Sequence, residues 1–166
     1  MKRRIYLEKM QPHDFDAFYA MVSNEKIMAR ITERALSKEE ALKKFNELLR
    51  NSALHKSFGS YKVLERTGSK LMGMAKLEIT PEKLNEAELG FMLLPEFWGK
   101  GYGTEIAKIL FDIAKTYPHL KRVYANIDPD NKASRKILIN MGFTSEKVGE
   151  IDGLPSEIFG MDVSAG

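Results

Sequence analysis

The sequence Trp98-Gly99-Lys100-Gly101-Tyr102-Gly103-Thr104 contains three glycines within five residues. The apolar run from Leu89 to Leu94 precedes it, and apolar residues at helical spacing follow it, at Ile106, Ile109, Leu110 and Ile113. This arrangement predicts a strand that passes through a glycine-rich turn into the start of a helix. Backbone N–H groups and the positive end of the helix dipole would then point at one spot, which favours a bound phosphate or pyrophosphate.

The spacing of these glycines matches neither of two common phosphate-binding motifs. A dinucleotide fingerprint requires a third glycine where this chain has Thr104 or Ile106, depending on the register. A P-loop requires an earlier glycine at the position of Leu94. The spacing therefore argues against a nucleotide-binding protein. By itself the loop is equally consistent with a flexible turn that assists a helix start.

A second pattern lies downstream of the loop. The residues from Val123 to Phe143 read as a strand, a turn through Pro129, a short helix and a glycine stop. With both patterns in place, the chain resembles the GCN5-related N-acetyltransferase (GNAT) superfamily. Within that superfamily it is most similar to the branch that contains the ribosomal-protein N-terminal serine/alanine acetyltransferases.

Three motifs carry the resemblance, in the order that the family has them. The family's pyrophosphate loop reads Q/R-x-x-G-x-G/A, and this chain departs from it at the first position with Trp98. The branch has a glutamate strand that ends in Pro-Glu-x-Trp-Gly, matched here by Glu88-Leu89-Gly90 and Pro95-Glu96-Phe97-Trp98-Gly99. Its N-x-x-S helix before a Gly-Phe pair is matched by Asn131, Ser134, Gly142 and Phe143. The resemblance is strong over residues 86–143 and weak over the first half.

The apolar periodicity indicates an α/β protein with a mixed sheet. Strands are predicted near residues 2–9, 57–65, 70–79, 86–94, 121–128, 143–150 and 156–163. Helices are predicted near 15–22, from a capping-box spacing at Ser37 to residue 49, from the glycine loop to 116, and at 131–141. The resemblance implies a GNAT-like central sheet of about seven strands flanked by about four helices, with parallel strands 4 and 5 splayed to admit the cofactor.

Composition and charge are those of an ordinary globular chain. The 166 residues are 43% hydrophobic and 30% charged, which predicts a single domain over residues 1–166. A net charge of +3, with only one tight basic cluster, argues against a nucleic-acid partner. No apolar run approaches the ~18 residues of a membrane span, so we expect no membrane partner and a cytoplasmic location. Monomer and homodimer both remain open.

Metal and thiol chemistry find no support in the sequence. The chain has no cysteine, which excludes a disulfide framework, a thiolate nucleophile and a cysteine-ligated zinc. Its histidines, His13, His55 and His119, are scattered and form no metal-binding motif. We therefore predict no metal site.

The resemblance implies that the cosubstrate is acetyl-coenzyme A and that its acetyl group passes to an amine. Backbone amides of the loop would hold the pyrophosphate, while Lys100 either adds charge or is simply solvated. The loop residues assigned to the cofactor are Gly99, Lys100, Gly101, Tyr102, Gly103 and Thr104. A bulge in the preceding strand, around Met92, Leu93 and Leu94, would free a backbone N–H for the thioester oxygen. Asn126, Asn131 and Ser134 complete the set, and Asn131 also fits a helix N-cap.

Glu88 is the predicted catalytic base. It shares a strand face with Gly90 and Met92, so that its carboxylate would accept the proton of the attacking amine directly or through water. An ordinary surface glutamate is the alternative interpretation. Glu86 and Glu78 are weaker candidates for the same role.

Ser134 is the second predicted catalytic residue. Many family members have a tyrosine four residues before the Gly-Phe pair, where it protonates the leaving thiolate, and this chain has Leu138 there. Ser134 lies one turn earlier on the same helix face and would donate a hydrogen bond to the sulfur. A purely structural serine is the alternative.

Two functions fit these residues. One is an N-acetyltransferase in which a protein amino terminus or a small amine attacks the thioester directly. The other is a non-catalytic coenzyme A-binding regulatory module on the same fold. Glu88 favours the first, and the missing tyrosine mildly favours the second. We expect residues 11–36 and the turn at 150–156 to select the acceptor, although neither segment carries a motif.

Overall fold

A mixed seven-stranded sheet forms the middle layer of the computed structural model, which describes residues 3–29 and 34–163. The strand order is β1-β2-β3-β4-β5-β7-β6. The strands are β1 (Ile5–Lys9), β2 (Gly59–Glu65), β3 (Leu71–Thr80), β4 (Lys83–Leu93), β5 (Arg122–Ile127), β6 (Thr144–Ile151) and β7 (Leu154–Asp162). The predicted sheet of about seven strands is confirmed. Lys2 of the predicted first strand and residues 30–33 of the predicted acceptor segment lie outside the described residues.

Five α-helices cover the sheet in the described part of the chain. They are α1 (Phe15–Val22), α2 (Glu25–Ala29), α3 (Lys38–Ser52), α4 (Tyr102–Lys115) and α5 (Lys132–Asn140). The capping box predicted at the start of α3 is present: the hydroxyl of Ser37 accepts from the N–H of Glu40, and the Glu40 carboxylate accepts from the N–H of Ser37. The sequence pattern missed α2, because five residues are too few to display a helical period.

The pairing of β4 and β5 is parallel, whereas every other adjacent pair is antiparallel. The parallel pairing joins only Glu86 to Arg122, Ala87 to Val123 and Glu88 to Tyr124. Beyond Glu88 the two strands continue without pairing to each other. The predicted splaying of these strands is therefore present, and it opens the middle of the sheet.

Two apolar clusters lie on opposite faces of the sheet. The larger cluster joins α4 and α5 to one face and includes Leu89 and Leu93 of β4. The smaller cluster joins α1, α2 and α3 to the other face and reaches Met92 of β4. Because successive strand side chains point to opposite faces, β4 contributes to both clusters. The result is a three-layer arrangement with β4 at its centre.

Gly73 allows β3 and β4 to approach closely, which yields a test of the fold. A Cβ atom at Gly73 would lie 2.1 Å from the carbonyl oxygen of Met92. We expect Gly73→Ala to lower the free energy of unfolding by about 1–3 kcal/mol, because backbone would have to move. Gly90→Ala is the matched control, since its Cβ would meet only the flexible end of Lys76, at 3.2 Å. Urea denaturation measures both, and equal stability of the two variants would contradict this packing.

Candidate active site

A cleft of about 420 Å³ opens where β4 and β5 diverge. Helices α1 to α3 border one end of it, and α5 with the turn between β6 and β7 borders the other. Of the residues predicted for the site, Glu88, Met92, Asn126, Asn131 and Ser134 line this cleft. The fold thus brings the candidate base on β4 and the candidate acid on α5 to one cavity.

The glycine loop has the backbone geometry of an anion-binding turn at a helix start. Gly99 and Gly101 have positive φ angles of 73° and 84°, and Gly101 is the residue before the first turn of α4. A Cβ at Gly99 would meet nothing within 4 Å, and one at Gly101 would meet only the guanidinium of Arg4, at 3.4 Å. The space beside these two glycines therefore suits a group that approaches the backbone closely.

Gly103 has a different structural role from the other two glycines. A Cβ at this position would lie 3.0 Å from the ring of Phe91 and 3.1 Å from Ile137 of α5. Gly103 therefore lets the first turn of α4 pack tightly against β4 and α5. The absence of a side chain at Gly103 thus permits close helix packing, whereas Gly99 and Gly101 border largely open space.

The end of β4 differs from the prediction of a bulge at residues 92–94. The β3–β4 register is regular from Gly73–Leu93 to Glu78–Glu88. The N–H of Leu94 donates to the carbonyl of Met72 at 2.8 Å, so Leu94 does not offer a free donor. By the alternation of an antiparallel ladder, the N–H of Leu93 points away from β3, toward the side from which β5 has diverged. Strand divergence, and not a bulge, leaves this donor unpaired by β5.

Trp98 replaces the Gln or Arg of the family pattern and binds within the protein. Its indole N–H donates to the carbonyl oxygen of Leu93 at 2.9 Å. The ammonium of Lys26 lies 5.7 Å from the centre of the Trp98 ring. Trp98 thus fixes the glycine loop to the end of β4 and links it to α2.

Glu88 is part of a cross-strand charge cluster. Its carboxylate lies 3.1 Å from the ammonium of Lys76, and its side chain is 24% exposed. Glu78 is directly opposite Glu88 on β3 and also lines the cleft. Glu86 pairs instead with Arg122 at 3.3 Å and does not line the cleft. Of the three candidate bases, Glu88 and Glu78 therefore line the cavity, and Glu86 does not.

The charge cluster fixes the protonation of two neighbours. Burial lowers the pKa of Lys76, but the carboxylates of Glu88 and Glu78 raise it by more, so its pKa lies above the ordinary value. Burial and the charge of Glu88 raise the pKa of Tyr124. Lys76 therefore stays an ammonium at neutral pH and cannot act as a base. Sequence reasoning missed Lys76, because its pairing depends on the register between β3 and β4.

Helix α5 presents its first turn to the cleft. The side-chain oxygen of Asn131 accepts from the N–H of Ser134 at 3.1 Å, which confirms the predicted N-cap. Ser134 and Leu138, one turn apart, both line the cavity. Asn126, at the end of β5, accepts a hydrogen bond from the hydroxyl of Ser156.

Acidic side chains outnumber basic ones around the cavity. Its acidic lining residues are Glu47, Glu78, Glu88, Asp128 and Asp152, and its basic lining residues are Lys44 and Lys76. The chain as a whole carries a net charge of +3, so the cavity has the opposite sign of charge from the protein. A cavity of this sign attracts cationic molecules.

Over 3–29 and 34–163, no group of three or more His, Asp or Glu side chains is arranged to hold a metal ion. Among the described helices, none combines the length and the apolar character that crossing a lipid bilayer requires.

Known proteins resemble this chain in sequence and in fold. The family model of the acetyltransferase (GNAT) domain matches residues 4–144. YoaA of Bacillus subtilis (strain 168), an uncharacterized N-acetyltransferase, is 26% identical over 148 residues, which is 87% of this chain and 82% of that protein.

Two solved structures share the fold. One is spermidine N-acetyltransferase from Vibrio cholerae in complex with CoA and spermine, with a TM-score of 0.80 at 19% identity over 98% of each chain. The other is RimL, ribosomal L7/L12 alpha-N-protein acetyltransferase, in complex with coenzyme A. Its TM-score is 0.78 at 16% identity, covering 99% of this chain and 97% of that one.

The chain belongs to the GNAT acetyltransferase family, and it is an acyltransferase. The family resemblance drawn from the motifs at residues 86–143 is confirmed. The implied fold, with a seven-stranded mixed sheet and parallel fourth and fifth strands, is confirmed as well. Family membership favours the catalytic alternative over a regulatory module.

The open space at Gly101 yields a test of the anion cradle. We expect Gly101→Val to lose measurable coenzyme A binding, because valine resists a φ of 84° and its side chain would occupy the space beside the start of α4. Isothermal titration calorimetry measures the affinity, and circular dichroism checks that the chain still folds. Gly149→Val, at an open position in β6, is the control. Unchanged affinity in Gly101→Val would refute the cradle.

Proposed function

We propose that the protein transfers the acetyl group of acetyl-coenzyme A to a primary amine by direct attack on the thioester. One observation carries the proposal: β4 and β5 separate after Glu88 and Tyr124, and a cavity occupies the gap, bordered by α1–α3 at one end and by α5 with the β6–β7 turn at the other. A long, thin cosubstrate can enter from one side of such a gap, and an acceptor from the other. The cavity volume of about 420 Å³ lies within the usual range of small-molecule sites.

The cosubstrate is held mainly by backbone groups in this proposal. The amides beside Gly99 and Gly101 and the positive end of α4 bind the pyrophosphate, with Lys100 free to add charge at the exposed rim. The pantetheine arm then follows the gap between β4 and α5, where Asn131 and Ser134 line the cavity. Support comes from the coenzyme A held by both of the structurally similar acetyltransferases.

The thioester carbonyl is polarised by the backbone of β4. The N–H of Leu93 points to the unpaired side of the strand and acts as an oxyanion donor. Attack of the amine nitrogen on the carbonyl carbon forms a tetrahedral intermediate. Its negative charge develops on the oxygen that this N–H faces, so the donor stabilises the transition state more than the ground state.

Glu88 takes the proton that the amine loses. Its partner Lys76 stays cationic and holds the Glu88 carboxylate at 3.1 Å, in the wall of the cavity. Collapse of the intermediate breaks the carbon–sulfur bond and releases coenzyme A as a thiolate. Ser134 or solvent returns a proton to the sulfur. The products are the N-acetylated amine and coenzyme A.

Glu88→Gln tests the base. We expect kcat to fall about 10²–10⁴-fold at neutral pH, with little change in coenzyme A affinity, because glutamine cannot accept the proton. The deficit should shrink as the pH rises, since more of the acceptor amine is already neutral. Release of coenzyme A thiol measures the rate.

Glu86→Gln is the matched control for this test. It is on the same strand and the same face two residues earlier, but it pairs with Arg122 and lies outside the cavity. We expect it to keep near wild-type kcat. Near-full activity of Glu88→Gln at neutral pH would remove Glu88 from the mechanism and leave positioning of a neutral amine as the explanation.

The acceptor in this proposal is a cation with a second positive centre. Five carboxylates against two ammonium groups line the cavity, and Glu47 and Asp152 border its α3 and β6–β7 ends. A polyamine would place one amine at the thioester and its other charges near these carboxylates. Support comes from the structurally similar spermidine N-acetyltransferase, whereas RimL acts on a protein amino terminus.

An acceptor comparison tests this preference. We expect kcat/KM for spermidine to exceed that for butylamine, and for a peptide with an amino-terminal serine, by about tenfold or more at low salt. The advantage should narrow with added salt and in Asp152→Asn, but not in Glu150→Gln, which lies outside the cavity. Equal use of spermidine and butylamine would rule out recognition of a second charge, while acetylation of either amine would still support the transferase.

A further inference from the structure

Glu157 is a nearly inaccessible carboxylate that the proposed reaction does not use. It lies in β7 and is 3% exposed. Its two oxygens have different partners: the hydroxyl of Ser145 in β6 donates to one at 2.6 Å, and Nε of Arg135 in α5 donates to the other at 3.2 Å. It does not line the active-site cavity. A charge in such a position is retained only where its partners compensate its desolvation.

Helix α5 buries little of its own surface. Leu138 is its only buried residue among nine. Ile137 contacts the first turn of α4 near Gly103, so the second half of the helix is fixed by apolar packing. The first half has no buried side chain, and there the N-cap Asn131 and the helical Ser134 line the cavity.

Arg135 connects that first half to the sheet. It follows Ser134 directly, pairs with Glu157, and its guanidinium lies 5.9 Å from the centre of the Phe159 ring on the same strand. The Arg135 side chain is 44% exposed, so its outer part remains in water while its inner edge meets the buried carboxylate. The contact therefore fixes α5 against β7 one residue away from the cavity wall.

We infer that Glu157 is a positioning residue, which holds the first turn of α5 in place through Arg135 and so aligns Asn131 and Ser134 with the bound cosubstrate. Burying an ion pair adds little stability compared with apolar packing, but removing one partner leaves the other uncompensated. The arrangement thus favours one orientation of the helix over others. The alignment with the cosubstrate rests on the proposed function. The anchoring of α5 does not, since it is a property of the chain without ligand.

The Glu157→Gln variant tests the anchoring of α5 separately from the alignment of the cosubstrate. Glutamine keeps the size of the side chain and an oxygen that accepts from Ser145, but it loses the charge that binds Arg135. We expect amide hydrogen exchange in residues 132–138 of the ligand-free protein to rise about tenfold, since a hydrogen bond to a charged group is worth about that factor in local stability. Exchange in α4 should stay unchanged. The affinity for coenzyme A should fall by about the same factor, with KM for acetyl-coenzyme A rising more than kcat falls.

Two further variants complete the experiment. Arg135→Gln removes the same pair from its exposed side, so it serves if Glu157→Gln does not fold, and the double variant should be no worse than the more affected single one. Glu146→Gln is the matched control, because it removes an Arg–carboxylate pair from β6 on the opposite face, with Arg122. The change in melting temperature of Glu146→Gln shows how much stability the loss of a purely structural ion pair costs.

The possible results lead to distinct conclusions. Unchanged exchange in α5 for both Glu157→Gln and Arg135→Gln overturns the inference, whatever the affinity for coenzyme A. Faster exchange in α5 together with weaker coenzyme A binding supports it in full. Faster exchange in a protein whose wild type binds no coenzyme A keeps the anchoring role, overturns the alignment of a cosubstrate, and refutes the proposed function.

Discussion

The parallel pairing of β4 and β5 ends after three residue pairs, and the candidate site follows from that limit. Past Glu88 on β4 and Tyr124 on β5, the backbone groups that face each other across the gap no longer pair, although β4 still pairs with β3 and β5 with β7. Unpaired backbone groups are costly unless something else bonds them, so this gap is a place where an extended ligand gains what the strands have given up. Both α4 and α5 begin at this end of the sheet, which adds the starts of two helices to the same region.

Local signals made part of this site predictable from sequence. The spacing of Gly99 and Gly101 indicates a backbone with positive φ angles, which few other residues adopt, and both glycines have positive φ angles. Asn131 could be predicted as a cap because capping depends on neighbours three residues away. The fold followed from the order of such segments together with the family motifs.

Other parts of the site depend on long-range register, which the sequence does not display. Next to the turn of the β3–β4 hairpin, Thr80 pairs with Lys83. An irregularity then shifts the register, so that Glu78 pairs with Glu88. Without that shift, Lys76 would not stand beside Glu88. The burial of Glu157 could not be predicted from the sequence either. A glutamate in an alternating strand is normally expected to face solvent, and here α5 covers it.

The alternation along β4 has a consequence for how such an enzyme changes over time. Met92 belongs to the layer of α1 to α3, which borders one end of the cavity and in the proposed function receives the acceptor, while Leu93 belongs to the layer of α4 and α5. The two layers form separate apolar clusters, and Leu94, just after β4, packs against both. Substitutions that reshape the first layer can therefore accumulate with little effect on the second. This modularity lets one machinery for activated acyl groups be inherited unchanged while the range of accepted amines diversifies.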